Sequence, residues 1–379
     1  MNYIPRYLEI PVKEDLQKKM VFISGPRQCG KTTLAQKIMD DLKQDHEIAH
    51  YLNWDNNQDR ETIIREQFPA GIGILVLDEI HKYSRWRQVI KGLFDKRKNE
   101  LKIIVTGSGK LNYYKHGGDS LQGRYNAYRL HPFSFAEIKN EKLFSLSDLM
   151  NFGGFPEPLT LKSERETRRW SREYRNRLVQ DDLNSLENVK DIAQLEHLAI
   201  RLPDLVGSPL SINALRLDLQ VSHQTISRWL VMLENIYMIF RIYPFGAPKI
   251  RAVKKEAKHY LYDWTLLEDE GYRFENMVAC NLLKWCHFRQ DYDGLDIELR
   301  YFRDVDRREV DFIITENNKP TLFLECKKRN RDINSALKYL KERFPETEAV
   351  QVALHGSDDY VNKHGIRITN AEKFLSTFI

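Results

Sequence analysis

The amino-acid sequence predicts an α/β fold organised around a parallel sheet, and three observations carry that expectation. Apolar runs of strand length occur at 20–24, 73–77 and 101–106. Each run is followed at once by glycine or by acidic residues. Stretches of helical pattern separate one run from the next. Strands that alternate with helices form parallel sheets covered on both faces. A chain of 379 residues is too long for one small core and is expected to hold two or three domains.

Composition narrows the classes further. The chain is 42% hydrophobic and 30% charged, which is globular rather than disordered. Lys plus Arg number 59 against 54 Asp plus Glu, a net charge of +5 that permits nucleic-acid binding without arguing for it. The cysteines Cys29, Cys280, Cys286 and Cys326 form no CxxC pair and no zinc spacing, so reduced thiols and a cytoplasmic location are expected. The first residues, Met1 to Arg6, lack an apolar signal core, and the longest apolar runs are only strand-length. No run reaches the ~18 apolar residues of a bilayer span, so no membrane partner is expected.

The first strand leads into Gly25-Pro26-Arg27-Gln28-Cys29-Gly30-Lys31-Thr32, which fits the G-x-x-x-x-G-K-[ST] phosphate loop. In such a loop the backbone N–H groups cradle phosphates, and the following helix adds its positive N-terminal end. The glycines allow tight turning without a clashing Cβ. Lys31 is expected to reach the β- and γ-phosphates, Thr32 to ligate magnesium, and Thr33 to stand beside them at the helix start. The implied cofactors are ATP and Mg²⁺.

The run Ile74-Leu75-Val76-Leu77 ends in Asp78-Glu79. An apolar strand that presents two carboxylates at the C-terminal edge of a sheet places them where α/β ligands bind. Asp78 is expected to hold the magnesium shell and Glu79 to orient and activate water. The third strand ends at Thr106-Gly107-Ser108, where Ser108 is positioned to sense the γ-phosphate; an ordinary strand-end turn is the alternative. Downstream, Ser120-Leu121-Gln122-Gly123-Arg124 offers Arg124 as a transition-state charge, in cis or across a subunit boundary, with a plain surface charge as the alternative.

These residues resemble a known family. The loop 25–32, Leu77-Asp78-Glu79-Ile80, Val105-Thr106-Gly107-Ser108, Leu121-Gln122-Gly123-Arg124 and Leu130-His131-Pro132-Phe133-Ser134-Phe135-Ala136-Glu137 look like prokaryotic AAA-type ATPases that carry a C-terminal domain of unknown function. Gly153-Gly154-Phe155-Pro156-Glu157 and the helix opening at Gly271, Phe274, Glu275 and Asn276 are similar to that family as well. The resemblance implies an AAA-type P-loop core, a helical lid with a winged-helix module, and a restriction-endonuclease-like end domain. It implies no settled biological role. The expected segments are 1–137 for the ATPase core, 138–200 for the lid, 201–258 for the winged-helix-like module and 259–379 for the end domain.

Two later stretches carry chemistry of their own. After a turn at Leu217 to Ser222, the residues Val221, Ile226, Leu230 and Leu233 form an apolar stripe at helical spacing. Ser222, His223, Thr225, Ser227 and Arg228 are left to an open face, as in a helix-turn-helix recognition helix; a helical hairpin used for packing is the alternative. Further on, Arg308 to Ile314 alternates as a strand presenting Asp311, and Phe323-Leu324-Glu325-Cys326-Lys327 puts Glu325 and Lys327 on one strand face. Two converging carboxylates bind magnesium, and a lysine beside them positions water for attack on a phosphodiester. Glu275, from the preceding helix, is expected to add a ligand or orient Lys327. The set resembles the D…E-x-K core of restriction-endonuclease-like folds, with Val310 where a proline is usual. The Lys327-Lys328-Arg329 cluster is a candidate phosphate-backbone contact.

The resulting expectation is a magnesium-dependent ATPase that acts on nucleic acid, DNA in particular, with a possible metal-dependent nuclease-like end domain and possible self-association. The competing expectation is a nucleotide-controlled interaction switch whose end domain cuts nothing.

Overall fold

The computed structural model describes residues 3–43, 48–109, 121–141, 143–182, 191–246, 256–304, 308–330 and 332–379. The chain divides into two compact units, Met1–Pro132 and Phe133–Ile379.

The first unit is a five-stranded sheet, and its pairings are all parallel. Its strands are β1 (Met20–Ser24), β2 (Ile48–Asn53), β3 (Gly73–Asp78), β4 (Leu101–Gly107) and β5 (Tyr125–Arg129), in the order β2-β3-β4-β1-β5. The helices are α1 (Glu9–Asp15), α2 (Lys31–Leu42), α3 (Asn57–Ile64) and α4 (Trp86–Arg97). The expected strands at 20–24, 73–77 and 101–106 are β1, β3 and β4. They are the three inner strands, and their near-continuous apolar runs match the burial of both faces. One core cluster joins Met20 and Phe22 of β1, Leu75 and Leu77 of β3, Ile103 and Val105 of β4, and Trp86, Ile90 and Leu93 of α4.

The second unit is built on an eight-stranded mixed sheet in the order β12-β13-β11-β10-β9-β8-β6-β7. Its strands are β6 (Ile239–Pro244), β7 (Lys258–Leu261), β8 (Ile297–Arg303), β9 (Glu309–Glu316), β10 (Lys319–Arg329), β11 (Glu348–His355), β12 (Asp359–Val361) and β13 (Arg367–Asn370). The helices before them are α5 (Phe135–Glu141), α6 (Leu146–Phe152), α7 (Pro156–Leu161), α8 (Glu164–Arg177), α9 (Ile192–Arg201), α10 (Ile212–Asp218) and α11 (His223–Asn235). Between and after the strands run α12 (Glu270–Tyr292), α13 (Ser335–Arg343) and α14 (Ala371–Leu375). Caps fix several starts. The Ser222 hydroxyl accepts from the Thr225 N–H at the head of α11, and the Asp269 carboxylate accepts from Gly271 and Tyr272 N–H at the head of α12.

The turn expected at 152–156 separates α6 from α7, and the charged helix expected from Glu164 is α8, with residues 183–187 outside the described set. The segments part differently from the expectation. The limit at 137/138 falls within α5, and the limit at 258/259 falls between the first two residues of β7. Because β6 and β7 belong to the same sheet as β8 to β13, nothing in the hydrogen bonding separates a module ending at 258 from the strands after it.

Candidate functional site

The phosphate loop sits between β1 and α2, at the C-terminal end of a parallel strand. Its backbone turns through left-handed positions at Gly25 (φ 152°), Gln28 (φ 58°) and Gly30 (φ 98°). Such alternation gathers N–H groups into a concave anion cradle. Gly25 is demanded by close approach as well: a Cβ there would lie 2.1 Å from the Leu130 carbonyl oxygen. The Lys31 ammonium curls back on the loop, donating to the Gly25 carbonyl at 3.1 Å and the Pro26 carbonyl at 2.6 Å. Lys31 is buried, so an ammonium stands ready inside the cradle.

At the end of β3, Asp78 gathers three hydroxyls. Thr32 donates to Oδ2 at 2.8 Å, Tyr51 donates to the same oxygen at 2.6 Å, and Thr106 of β4 donates to Oδ1. Burial, then the hydrogen bond to Asp78 and its charge, push the Tyr51 phenol well above its ordinary range, so it stays a proton donor. The 46-residue gap between Thr32 and Asp78 is thus closed to one hydrogen bond, by a strand order that puts only β4 between β1 and β3. Glu79 adopts a left-handed backbone (φ 55°) just past the end of β3. Its Oε2 lies 3.4 Å from the Ser108 hydroxyl, 3.6 Å from the Lys82 ammonium and 3.7 Å from His81 Nε2. Burial pulls the His81 pKa down.

These residues fit a hydrated magnesium ion. A threonine hydroxyl and one strand-end carboxylate meet at 2.8 Å beside an anion cradle, the sparse protein donor set magnesium uses when phosphates and water complete its shell. Sequence reasoning missed Tyr51 and Thr106. The Thr106 hydroxyl could have been found from its place at the end of a strand neighbouring β3; Tyr51 carries no motif.

Other expected residues fall elsewhere. The Cys29 thiol is fully buried and lies 3.4 Å from the Leu130 carbonyl, so only its backbone faces the cradle. Arg124 precedes β5, and its carbonyl accepts from the N–H of Met20 at the start of β1. That places it at the sheet edge opposite the loop, five residues or about 16 Å of strand away. Its guanidinium forms a two-point ion pair with Asp95, at 2.7 and 3.0 Å. Reach and partner both correct the expectation that Arg124 serves the phosphates of its own chain. Ser120 lies outside the described residues.

In the second unit, α10 and α11 form a helical pair followed by the antiparallel β6–β7 ribbon, and Pro209 bridges Lys258 of β7. Ile226, Leu230 and Leu233 are buried with Trp229 and Met232, whereas Ser222, His223 and Arg228 are exposed. The β9–β10 ladder pairs Phe312 with Leu324, which brings Asp311 beside Glu325. Asp311 Oδ2 accepts from the Cys326 N–H at 2.8 Å, and the Lys327 ammonium donates to Glu325 Oε1 at 2.6 Å. Glu275 is buried under the Tyr260 hydroxyl, which donates to it at 2.7 Å.

A residue that sequence reasoning missed dominates this cluster. The Lys258 ammonium, 1% exposed, lies 2.6 Å from Glu309, 3.5 Å from Glu275 and 3.9 Å from Asp311. Burial alone pulls its pKa down, but Glu275, Asp311 and Glu309 together outweigh that and raise it. Burial, then the neighbouring Asp311, push Glu275 up to about 8 and Glu325 up to about 7. Glu325 Oε2 is buried without a hydrogen-bond partner. Among the described residues no three His, Cys, Asp or Glu side chains are arranged to hold a metal ion. The structure brings Asp311 and Glu275 to the Lys258 ammonium and sets Glu325 beside Asp311. A lysine supplies counter-charge among the acids, and burial holds Glu275 and Glu325 above the usual carboxylate range.

Comparison with known proteins agrees with the first unit. Residues 17–139 match an AAA domain, residues 143–269 a domain of unknown function (DUF8612), and residues 270–374 another (DUF4143). An uncharacterized protein of Haemophilus influenzae is 25% identical over 328 residues, covering 77% of this chain and 78% of its own. One of Methanocaldococcus jannaschii is 25% identical over 382 residues, covering 89% and 82%. A solved structure of the replication initiator DnaA bound to AMPPCP and single-stranded DNA aligns with TM-score 0.36 and 18% identity, over 62% of this chain and 90% of that one. Among the described residues no helix is long and apolar enough to cross a membrane. The N-terminal third of the chain therefore matches an AAA domain, and the remainder matches two domains of unknown function.

Proposed function

We propose that the protein hydrolyses ATP with magnesium and couples that cycle to nucleic acid. The observation that carries the reading is the hydrogen bond between Thr32 and Asp78, 2.8 Å long, beside a loop whose amides form an anion cradle. The loop amides and the head of α2 bind the triphosphate. Lys31 exchanges its two loop carbonyls for phosphate oxygens. Thr32 and Asp78 would hold a magnesium ion, which would supply positive charge against a bound triphosphate. Glu79 accepts a proton from the attacking water, and its contacts with Ser108 and Lys82 set where its carboxylate points. The exposed polar face of α11 and the following β6–β7 ribbon support nucleic-acid contact, since short polar side chains and an arginine there reach groove edges and phosphates. Calorimetry with ATP and a phosphate-release assay test the core. Wild-type protein binds and turns over ATP; an Lys31→Ala protein that hydrolyses at the wild-type rate would sink the proposal.

Lys258 favours a second reading for the end of the chain. An ammonium already paired with Glu275, Glu309 and Asp311 supports a domain that docks a partner and does not cleave. Incubation of labelled duplex, branched and single-stranded DNA with Mg²⁺ or Mn²⁺ decides it. Cleavage lost on Asp311→Ala would restore the nuclease.

A further inference from the structure

The chemistry proposed above leaves one buried cation in the first unit unused. Arg6 is 6% exposed. Its guanidinium donates from Nη1 to the Cys29 carbonyl at 2.8 Å and from Nη2 to the His131 carbonyl at 2.5 Å. The segment that carries it is anchored independently. The Arg6 N–H donates to Glu9 Oε1 at 2.7 Å. The Tyr7 hydroxyl donates to the Arg129 carbonyl at 2.5 Å and accepts from the His131 N–H at 3.2 Å. A rigid fork of donors therefore spans from the C-terminal end of β5 to the phosphate loop.

We infer that Arg6 is a positioning residue for the phosphate site: it locks the Cys29–Gly30 peptide so that the Gly30 N–H faces away from Arg6 into the cradle. A trans peptide is planar, so its carbonyl and N–H point in opposite directions, and fixing one fixes the other. Without a tether this peptide is the loop's weak point, because glycine accepts both signs of φ and lets the plane flip. A flip would turn a carbonyl dipole toward the phosphates in place of a donor. Cys29 is held on its other side by its thiol, 3.4 Å from the Leu130 carbonyl. A Cβ on Gly30 would come within 3.3 Å of Arg6 Nη1. The inference rests on the nucleotide reading of the loop.

The test is competition against a fluorescent ATP analogue, by ATP and by adenosine, in wild type, Arg6→Ala and Arg6→Lys, with melting temperatures of the nucleotide-free proteins. ATP affinity is expected to fall about tenfold or more in Arg6→Ala, as for loss of a charge-assisted hydrogen bond. Arg6→Lys, whose ammonium reaches one carbonyl, falls between. Adenosine, which carries no phosphate, loses nothing. Should Arg6→Ala fail to fold, Arg6→Lys decides by the same pattern. Wild-type ATP affinity in the folded variants overturns the inference. Equal losses for ATP and adenosine with a lowered melting temperature also overturn it, since Arg6 then only holds the fold. Wild-type protein that binds no nucleotide overturns the site reading and this inference with it.

Discussion

The chain gathers carboxylates in two places and treats them in opposite ways. Asp78, at the end of β3, is wrapped by the neutral hydroxyls of Thr32, Tyr51 and Thr106. Asp311, Glu275 and Glu309 surround a buried ammonium instead. Hydroxyl donors orient a carboxylate without cancelling its charge, so that site still needs a cation. An internal lysine offsets part of the charge from within the fold. Acid clusters alike in sequence therefore have different chemistry once the counter-charge is counted.

Replacing the groups in each place sharpens the contrast. The largest effect is expected at the first site: Glu79→Gln should keep ATP affinity and lower turnover by about 10²–10⁴-fold, the usual worth of a general base, in a single-turnover assay. Turnover near wild type would erase the distinction between the sites. In the second cluster, Lys258→Met should cost about 3–5 kcal/mol in urea unfolding at pH 7, because three acids lose their buried partner. That loss should shrink at low pH, where the acids take up protons; a loss independent of pH would mean that the ammonium is not their counter-charge.

The neighbouring His259 gives a smaller, signed effect. Its ring is fully buried, with Nε2 2.8 Å from the Leu202 carbonyl, and burial pushes its pKa down to about 4. A base with a depressed folded pKa adds stability above its ordinary value of 6.5 and loses it as pH falls through about 4. Over that span the loss is roughly 3 kcal/mol, and His259→Gln should lack it. Parallel pH profiles for the two proteins would refute the buried neutral ring. Smallest of all is the Cys29 thiol. Its burial against Leu130 predicts slow alkylation with or without ATP. Fast labelling that ATP blocks would put the thiol back inside the cradle.

The same contrast explains what the sequence disclosed. β1, β3 and β4 are inner strands, apolar throughout, and each runs into glycine or acid, so both the strands and the loop were legible. β2 and β5 are the edges of that sheet. Ile48 to Asn53 and Tyr125 to Arg129 mix polar and apolar residues because one side of each is open, and no periodicity betrayed them. The β9–β10 pairing of Asp311 and Glu325 followed from alternation along two strands. Lys258 did not, because it sits in Lys254-Lys255-Glu256-Ala257-Lys258-His259, a run that reads as a solvated surface. Arg6 stands outside any motif, and only the folded contact with Cys29 gives it meaning.

Lys258 is also the first residue of β7, which bears on how the protein is cut into pieces for study. A truncated clone beginning at His259 would keep Glu275, Glu309 and Asp311 and discard their ammonium. Such a fragment would leave those buried carboxylates without the cation that Lys258 supplies, at a cost in stability. A boundary drawn before Lys258, at or upstream of β7, keeps the acids and their cation in one piece.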